Sequence, residues 1–303
     1  KLGYTFLGWY LNEEKWIFIG YVITNNMTLE AKWEPVKYNL SYELNGGIAN
    51  NPITYTIEDN ITLNNPTKEG YTFVGWTTPE NNIPNSNVNI SNETQDKTFI
   101  ANYQTNTYNI TYELNGGIAK NPTTYTIEDN IILNNPIKEG YTFIGWTTPE
   151  NNIPNLNVNI SNETLNKTFT ANYQINTYNI TYELNGGIAN NPTTYTIEDN
   201  IILNNPTKEG YNFFGWITPE NNEPFLNISI ENETENKHFI ATWTNLDFNL
   251  KETEKYEVIG MTNSFDTQIV IPEYYDHKKI TSIAASAFED CNSLTSIVIP
   301  NSV

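Results

Sequence analysis

The sequence repeats itself with a period of 70 residues, and this periodicity constrains the fold more than any single motif does. Residues 38–107 and 108–177 are identical at 58 of 70 positions, and residues 178–247 form a third copy whose second half has diverged. A fixed period of this kind is typical of chains built from repeated modules. Serial copies lengthen a molecule or multiply weak contacts, whereas catalysis needs no such repetition. The sequence therefore predicts surface architecture and no enzymatic activity.

The composition indicates folded modules whose negative charge disfavours binding to nucleic acids or anionic membranes. Aromatic residues make up 13% of the chain, which is too many for a disordered segment. The net charge is -20 and all fifteen basic residues are lysines, so the arginine fork that grips phosphate and base edges is missing. We therefore expect no nucleic-acid partner, no membrane insertion in this segment and no cofactor.

Apolar residues alternate with polar ones within each copy. Tyr38, Leu40, Tyr42 and Leu44 fall on one face of an extended segment, which predicts a half-buried strand. The same alternation recurs near the end of the copy at Phe99, Ala101 and Tyr103. No segment has an amphipathic helical period, so each module is predicted to be mainly β, with four or five short strands.

Two kinds of glycine mark the predicted turns. The Asn-Gly-Gly sequence after the first strand favours a tight reversal that needs a positive φ at its first glycine. The Lys-Glu-Gly sequence before the aromatic strand is a second turn signal, predicted to be polar and exposed. The predicted turn glycines are Gly46, Gly116, Gly186, Gly70, Gly140 and Gly210.

Large apolar residues that persist in the copies are predicted to form the core of each module. In the third copy, substitutions are expected where side chains point to water. The predicted core residues are Leu40, Tyr42, Phe73, Trp76, Phe99, Ala101, Trp146, Trp216 and Trp243. The tryptophans Trp76, Trp146 and Trp216 have an alternative interpretation, because exposed indole rings in serial modules would bind sugars by stacking.

Other polar and reactive residues favour structural roles. The Glu58-Asp59 pair lacks the spacing of a calcium loop and is interpreted as a solvated turn, and no metal site is expected. Lys68, Lys138 and Lys208 are candidates for amide crosslinks to asparagine, but their polar turn is predicted to be exposed, which favours a solvated side chain. Cys291 is interpreted as a buried structural thiol. His238 and His277 lie in unrelated parts of the sequence, and no catalytic residues are predicted.

These motifs carry a family resemblance. The pattern Tyr-x-Ile-x-Tyr-x-Leu-Asn-Gly-Gly, then Lys-x-Gly-Tyr-x-Phe-x-Gly-Trp, then Phe-x-Ala-x-Tyr/Trp, resembles the Listeria-Bacteroides repeat, also called the internalin-type B repeat. Residues 1–33 are similar to the tail of a further copy. The resemblance implies β-grasp-like modules in secreted bacterial proteins attached to the cell surface.

The C-terminal segment has a different pattern. Residues 269–272 (Ile-Val-Ile-Pro) and 297–300 (Ile-Val-Ile-Pro) flank Ala287-Phe288, which resembles the BspA-like leucine-rich repeat of bacterial surface antigens. Only one unit and the start of another are present, so the chain is expected to continue beyond residue 303. The resemblance implies the start of a solenoid that recognises a ligand.

The expected organisation is a row of small domains. Residues 1–37 are the end of a module, residues 38–107, 108–177 and 178–247 are three complete modules, and residues 248–303 begin the leucine-rich-repeat domain. We expect an extracellular bacterial surface protein whose modules form an extended stalk for a domain that binds a protein or glycan on a host or neighbouring cell. Two alternatives are that the modules themselves bind cell-wall or host glycans, or that the segment is a non-catalytic part of an envelope hydrolase.

Overall fold

The fold consists of β-strands and turns. The computed structural model describes residues 1–20, 22–252 and 254–303, and this part of the chain contains no helix. By contact density the chain divides into two compact units. One comprises Lys1–Glu113, Lys120–Asn134 and Trp146–Thr170, and the other comprises Leu114–Ala119, Asn135–Gly145 and Ala171–Val303.

The N-terminal fragment forms a small antiparallel sheet. The aromatic strand β1 lies in the centre, paired on one side with β2 and on the other with β3, which carries the Ala-Lys-Trp sequence of a module end. The strands are β1 (Tyr4–Leu11), β2 (Glu14–Lys15) and β3 (Glu30–Pro35).

The first complete module has seven strands, more than the four or five that the sequence indicated. Five of them form one mixed sheet in the order β5-β4-β10-β7-β8, and the other two, β6 and β9, form a separate antiparallel pair. The strands are β4 (Tyr38–Glu43), β5 (Thr54–Tyr55), β6 (Asn60–Thr62), β7 (Tyr71–Thr78), β8 (Asn81–Asn85), β9 (Asn89–Ser91) and β10 (Lys97–Thr105).

The next two modules repeat this strand order. In each, the first and last strands pair in parallel, as β4 and β10 do, and a two-stranded sheet lies apart. The second module contains β11 (Tyr108–Glu113), β12 (Thr124–Tyr125), β13 (Asn130–Ile132), β14 (Tyr141–Thr148), β15 (Asn151–Asn155), β16 (Asn159–Ser161) and β17 (Lys167–Ile175). The third contains β18 (Tyr178–Glu183), β19 (Thr194–Tyr195), β20 (Asn200–Ile202), β21 (Asn212–Thr218), β22 (Asn221–Phe225), β23 (Ser229–Glu231) and β24 (Lys237–Thr244).

Each module is built around its own apolar core. In the first module the alternation of β4 and β10 directs one face of each strand inward, and these faces meet the aromatic end of β7. Half-buried aromatic side chains, including Tyr42, Phe73 and Tyr103, pack around the buried set. That buried set is Leu40, Tyr55, Leu63, Trp76, Ile90, Phe99 and Ala101, and the third module has the equivalent cluster.

The C-terminal segment forms a four-stranded sheet in the order β25-β26-β29-β28 and a separate parallel pair, β27 with β30. Its core contains Leu246, Val258, Ile269, Ile271 and Ile280. The two Ile-Val-Ile-Pro sequences contribute to these two strands, with Ile269 opposite Ile297 and Val270 opposite Val298. The strands are β25 (Leu246–Glu252), β26 (Lys255–Met261), β27 (Gln268–Val270), β28 (Tyr274–Tyr275), β29 (Lys278–Ile283) and β30 (Ser296–Val298).

Candidate functional site

The three repeated tryptophans lie inside their modules. Trp76 is 2% exposed, Trp146 1% and Trp216 0%. Trp76 packs edge-on against Phe73 and Phe99 at 5.5 and 6.2 Å between ring centroids, a geometry that aromatic pairs favour. Because their faces are covered by neighbouring side chains, these indoles offer no stacking platform to a sugar. The alternative interpretation of these residues as an exposed ligand site is therefore wrong for this structure.

The other predicted core residues surround the tryptophan. Leu40, Phe99 and Ala101 are buried, while Tyr42 and Phe73 are partly buried against the same cluster. Burial raises the pKa of Tyr42 to about 12, and its hydroxyl donates to the Pro52 carbonyl at 2.8 Å. Trp243 likewise lies against the cluster of the third module.

The Asn-Gly-Gly turn has the predicted backbone. Asn45 has a φ of 46° and Gly46 one of 84°, and the Gly47 amide donates to the Leu44 carbonyl at 2.8 Å. Two consecutive positive φ values closed by this hydrogen bond are typical of a type I′ turn. Gly116 and Gly186 have the same conformation. The turn opens a longer connection, because the strand that pairs with β4 begins only at Thr54.

The second glycine of this motif has a role that the sequence analysis missed. A Cβ on Gly47 would lie 1.8 Å from the Tyr103 hydroxyl, which donates to the Leu44 carbonyl at 3.0 Å. In the third module Trp243 replaces the tyrosine, and its indole N–H donates to the Leu184 carbonyl at 3.1 Å. The sequence did hold a signal for this contact: the residue at position 103 and its equivalents is a tyrosine or a tryptophan, and both side chains carry a hydrogen-bond donor. A glycine at position 47 leaves room for that ring.

The Glu58-Asp59 pair has protein partners for both carboxylates. Asp59 Oδ2 accepts from the backbone amide and the hydroxyl of Thr56 at 2.7 and 2.9 Å. Glu58 Oε1 accepts from the Tyr4 hydroxyl of the preceding fragment at 2.8 Å. Among the described residues, no group of three or more histidine, cysteine or acidic side chains is placed to hold a metal ion.

The turn lysine lies over aromatic rings. Lys68 Nζ is 3.9 Å from the centre of the Tyr71 ring and 5.3 Å from that of Tyr103, distances at which a cation–π attraction operates. In the third copy, Lys208 Nζ donates to the backbone carbonyl of Asn185 at 2.9 Å. These contacts are with ring faces and a main-chain oxygen, so they do not place the lysine for an amide crosslink to an asparagine side chain. Glu69 is exposed as predicted, whereas Lys68 is half-buried and Gly70 is buried, so the predicted exposure of the turn was wrong for these two residues.

The remaining reactive residues lie apart. Cys291 is partly buried and its thiol contacts Met261 Sδ at 3.7 Å. His238 contacts Thr181 Oγ1 at 2.7 Å through Nδ1, and Nε2 lies 3.3 Å from Glu183 Oε1. His277 packs against Phe225 at 4.5 Å between ring centroids.

Divergence of the third copy follows its contacts with the C-terminal segment. Its first 34 residues differ from the second copy at 2 positions, and its last 36 at 17. Asn212 donates to the Thr262 hydroxyl of that segment at 2.8 Å. Phe214 stacks on Tyr275 at 5.6 Å between ring centroids. The expectation that substituted side chains face water was therefore wrong for Asn212 and Phe214, which contact the C-terminal segment, whereas Glu223 is exposed.

Among the described residues, several cavities reach the size of a small-ligand site, and two of them combine polar with apolar side chains. One, of about 530 Å³, lies in the second module beside β15, and its lining combines asparagine, threonine and glutamate side chains with apolar ones such as Ile153 and Leu165. The other, of about 510 Å³, lies where the third module meets the C-terminal segment. Phe214, Tyr274 and Tyr275 form its aromatic part, and Glu223, Glu273 and Asp276 supply carboxylates.

Comparison with known families identifies the repeat. The profile of the Listeria-Bacteroides repeat domain matches residues 1–32, 38–102, 108–172 and 178–241. The chain belongs to the Listeria-Bacteroides repeat family. The four matches follow the fragment and the three modules described above. This is a family of repeat domains and not of enzymes, and its occurrence in surface proteins is consistent with a surface protein.

Several proteins contain segments related to this chain. Two proteins of Evansella cellulosilytica with provisional membrane-protein names, one described as Gly-rich, are 31% and 30% identical over 72% and 73% of this chain. Internalin H of Listeria monocytogenes is 33% identical over 27% of it. The aligned regions cover 34%, 26% and 15% of these relatives, so the chain spans about a third or less of each. Within the described residues, no helix could cross a bilayer.

Proposed function

We propose that this chain is the stalk region of a bacterial cell-surface adhesion or ligand-binding protein. Four consecutive matches to one repeat family carry the proposal, because serial domains hold a binding site away from its attachment point. The occurrence of the family in an internalin supports an extracellular, surface-attached location. Residues 38–107, 108–177 and 178–247 are the complete stalk modules in this proposal.

The strand order supports a β-grasp-like module. The first and last strands lie side by side in parallel at the centre of each mixed sheet, and the second strand lies outside the first. Parallel strands need a long crossover, which the 53 residues between β4 and β10 provide through β5 to β9. We infer that short strands and turns occupy the crossover position that a helix takes in larger grasp folds.

We further propose that residues 248–303 begin a BspA-like leucine-rich-repeat domain that binds a protein or glycan on a host or neighbouring cell. The parallel pairing of β27 with β30 supports this, because repeats of a solenoid stack strand on strand. Val270 and Val298 are paired in register and are 66% and 54% exposed. Neighbouring exposed apolar side chains on a strand pair would suit a ligand-binding surface.

A surface-binding experiment tests this proposal. The fluorescently labelled chain is applied to arrays of extracellular-matrix proteins and of bacterial and host polysaccharides. We expect retention by at least one protein or glycan, and loss of retention in the double variant Val270→Glu, Val298→Glu. The matched control is Ile48→Glu, which replaces a side chain that is 79% exposed on the first module. Equal retention of both variants would contradict the assignment of recognition to the C-terminal segment.

Direct binding of glycans by the modules is the second candidate, and the cavity in the second module favours it. Amide and carboxylate groups such as those of Asn151, Asn155 and Glu150 line this cavity and are suited to hydrogen bonds with sugar hydroxyls. In the same array experiment, the double variant Asn151→Ala, Asn155→Ala would then lose polysaccharide binding. Retention that depends on these residues and not on Val270 and Val298 would favour the modules as the binding element.

A further inference from the structure

A corner of each module meets a corner of the next. The Tyr71 hydroxyl donates to Glu128 Oε1 of the following module at 2.7 Å. Beside it, Gly70 approaches Ile127 so closely that a Cβ on the glycine would lie 2.7 to 2.8 Å from three atoms of the isoleucine side chain. We name residues 70–71 the Gly-Tyr corner and residues 127–128 the Ile-Glu corner, and use the same names for their equivalents.

The same two contacts occur at three successive joints. The Tyr4 hydroxyl of the N-terminal fragment donates to Glu58 Oε1 at 2.8 Å, and Gly3 lies against Ile57. The Tyr141 hydroxyl of the second module donates to Glu198 Oε1 at 2.5 Å, and Gly140 lies against Ile197. Repetition of both contacts at each joint indicates a defined mode of docking.

The short connection between modules is also held in place. Strand β10 ends at Thr105 and β11 begins at Tyr108, so two residues link them. The Asn106 amide donates to the Gly70 carbonyl at 2.9 Å, and the Thr72 hydroxyl donates to Asn106 Oδ1 at 2.6 Å. Asn176 is bound by Gly140 and Thr142 in the same way at the next joint. The corner glycine therefore contacts both the linker and the next module.

The third copy keeps the Gly-Tyr corner but has no further module to dock. Gly210 has a φ of 74°, close to the 77° of Gly70, yet no atom lies within 4 Å of its hypothetical Cβ. The hydrogen bond to Glu128 raises the pKa of Tyr71, and the hydrogen bond to Glu198 does the same for Tyr141. Gly210 therefore has the positive φ that the turn requires but not the contact with a following module, so it serves as a control for Gly70.

We propose that the Gly-Tyr and Ile-Glu corners form a specific docking joint whose partner is the next copy of the module, and that this joint holds successive modules in one orientation. The glycine contributes twice, since its positive φ forms the turn and its missing side chain admits the isoleucine. The tyrosine–glutamate hydrogen bond sets the orientation of the docked corner. This inference goes beyond the proposed function, because it holds whether or not the protein binds a surface ligand.

Spin-label distances within the full chain test the joint. Cysteines replace the exposed residues Glu80 and Glu150 in a Cys291→Ser background, and pulsed electron paramagnetic resonance gives the distribution of distances between the labels. We expect a single narrow distribution in this parent. A distribution with several widely separated distances in the parent would overturn the proposal, because modules on free linkers sample many orientations.

Paired variants then separate docking from backbone strain. Gly70→Ala should at least double the width of the distribution, because the new methyl group displaces Ile127, whereas Gly210→Ala carries the same φ penalty and should leave the width unchanged. Tyr71→Phe removes only the hydroxyl and should broaden the distribution, with Tyr211→Phe as its control. Hydrogen exchange measured on the same samples identifies any variant whose first module has unfolded. Folded Gly70→Ala and Tyr71→Phe variants that match their controls would refute the joint.

Discussion

Replacing Trp76 with alanine should remove most of the stability of one module. The side chain is 2% exposed, so it buries nearly all of the roughly 200 Å² typical of a large aromatic residue. At about 25 cal/mol per Å² this is about 5 kcal/mol, and a compact unfolded state reduces the value by about 10 to 40%. The result of about 3 to 5 kcal/mol agrees with measured losses for tryptophan-to-alanine substitutions in protein cores.

That loss is large for a domain of this size. Typical stabilities of about 0.05 to 0.15 kcal/mol per residue give a 70-residue module roughly 4 to 10 kcal/mol. A loss of 3 kcal/mol lowers the melting temperature of such a domain by at least about 12 °C. We therefore expect Trp76→Ala to unfold or nearly unfold residues 38–107. The third module has a separate core around Trp216 and should remain protected.

Hydrogen exchange followed by mass spectrometry measures this module by module in the full chain. The 12 differences between the first two copies distinguish their peptides. Ile83→Ala is the control, because that side chain is 75% exposed and its removal should change stability by no more than about 0.5 kcal/mol. Unchanged protection of residues 38–107 in Trp76→Ala would refute the burial of the indole and return the sugar-stacking hypothesis to consideration.

Three further outcomes are expected. Gly47→Ala should destabilise its module by more than 1 kcal/mol in urea unfolding, because the methyl group displaces the Tyr103 hydroxyl; equal midpoints would contradict this close approach. Burial raises the pKa of Tyr42 and its counterparts to about 12, so the stability that these tyrosines contribute should be complete below about pH 10 and lost between about pH 10 and 12; absorbance of tyrosinate at 295 nm should show a late-titrating group. Phe214→Val restores the first-copy residue and should weaken docking on Tyr275, seen as faster hydrogen exchange in residues 272–278, and unchanged exchange there would count against that contact.

The elements inside a module were predictable because they depend on local patterns. The alternation through Leu40 and Tyr42 sets which face of β4 is buried, and Asn45-Gly46 permits two positive φ values in succession. These are nearest-neighbour effects in sequence. The pairing of β6 with β9 was missed because each strand has only three residues, too few for a period to appear.

Contacts between modules were not predictable from one module. Nothing in the sequence of one module marks Ile57 and Glu58 as docking residues, because the residues that contact them, Gly3 and Tyr4, lie 54 positions earlier in the chain. Periodicity describes the face that a strand presents to its own sheet. The periodicity of apolar residues cannot indicate that the Ile-Glu corner of one module is contacted by the preceding module.

The third copy shows how one module serves two kinds of neighbour. Its first 34 residues, which contain the Ile-Glu corner at Ile197–Glu198, differ from the second copy at 2 positions, and this half receives the Gly-Tyr corner of the preceding module. Within the remaining 36 residues, Asn212 and Phe214, which replace Thr142 and Ile144 of the second copy, contact the C-terminal segment. A side chain that touches only solvent changes freely, but both halves here touch protein. The two halves differ in the partner that each must fit: the first half packs against another module, and the second against the C-terminal segment. Sequence divergence therefore begins directly after the Gly-Tyr corner rather than at the boundary of the hydrophobic core.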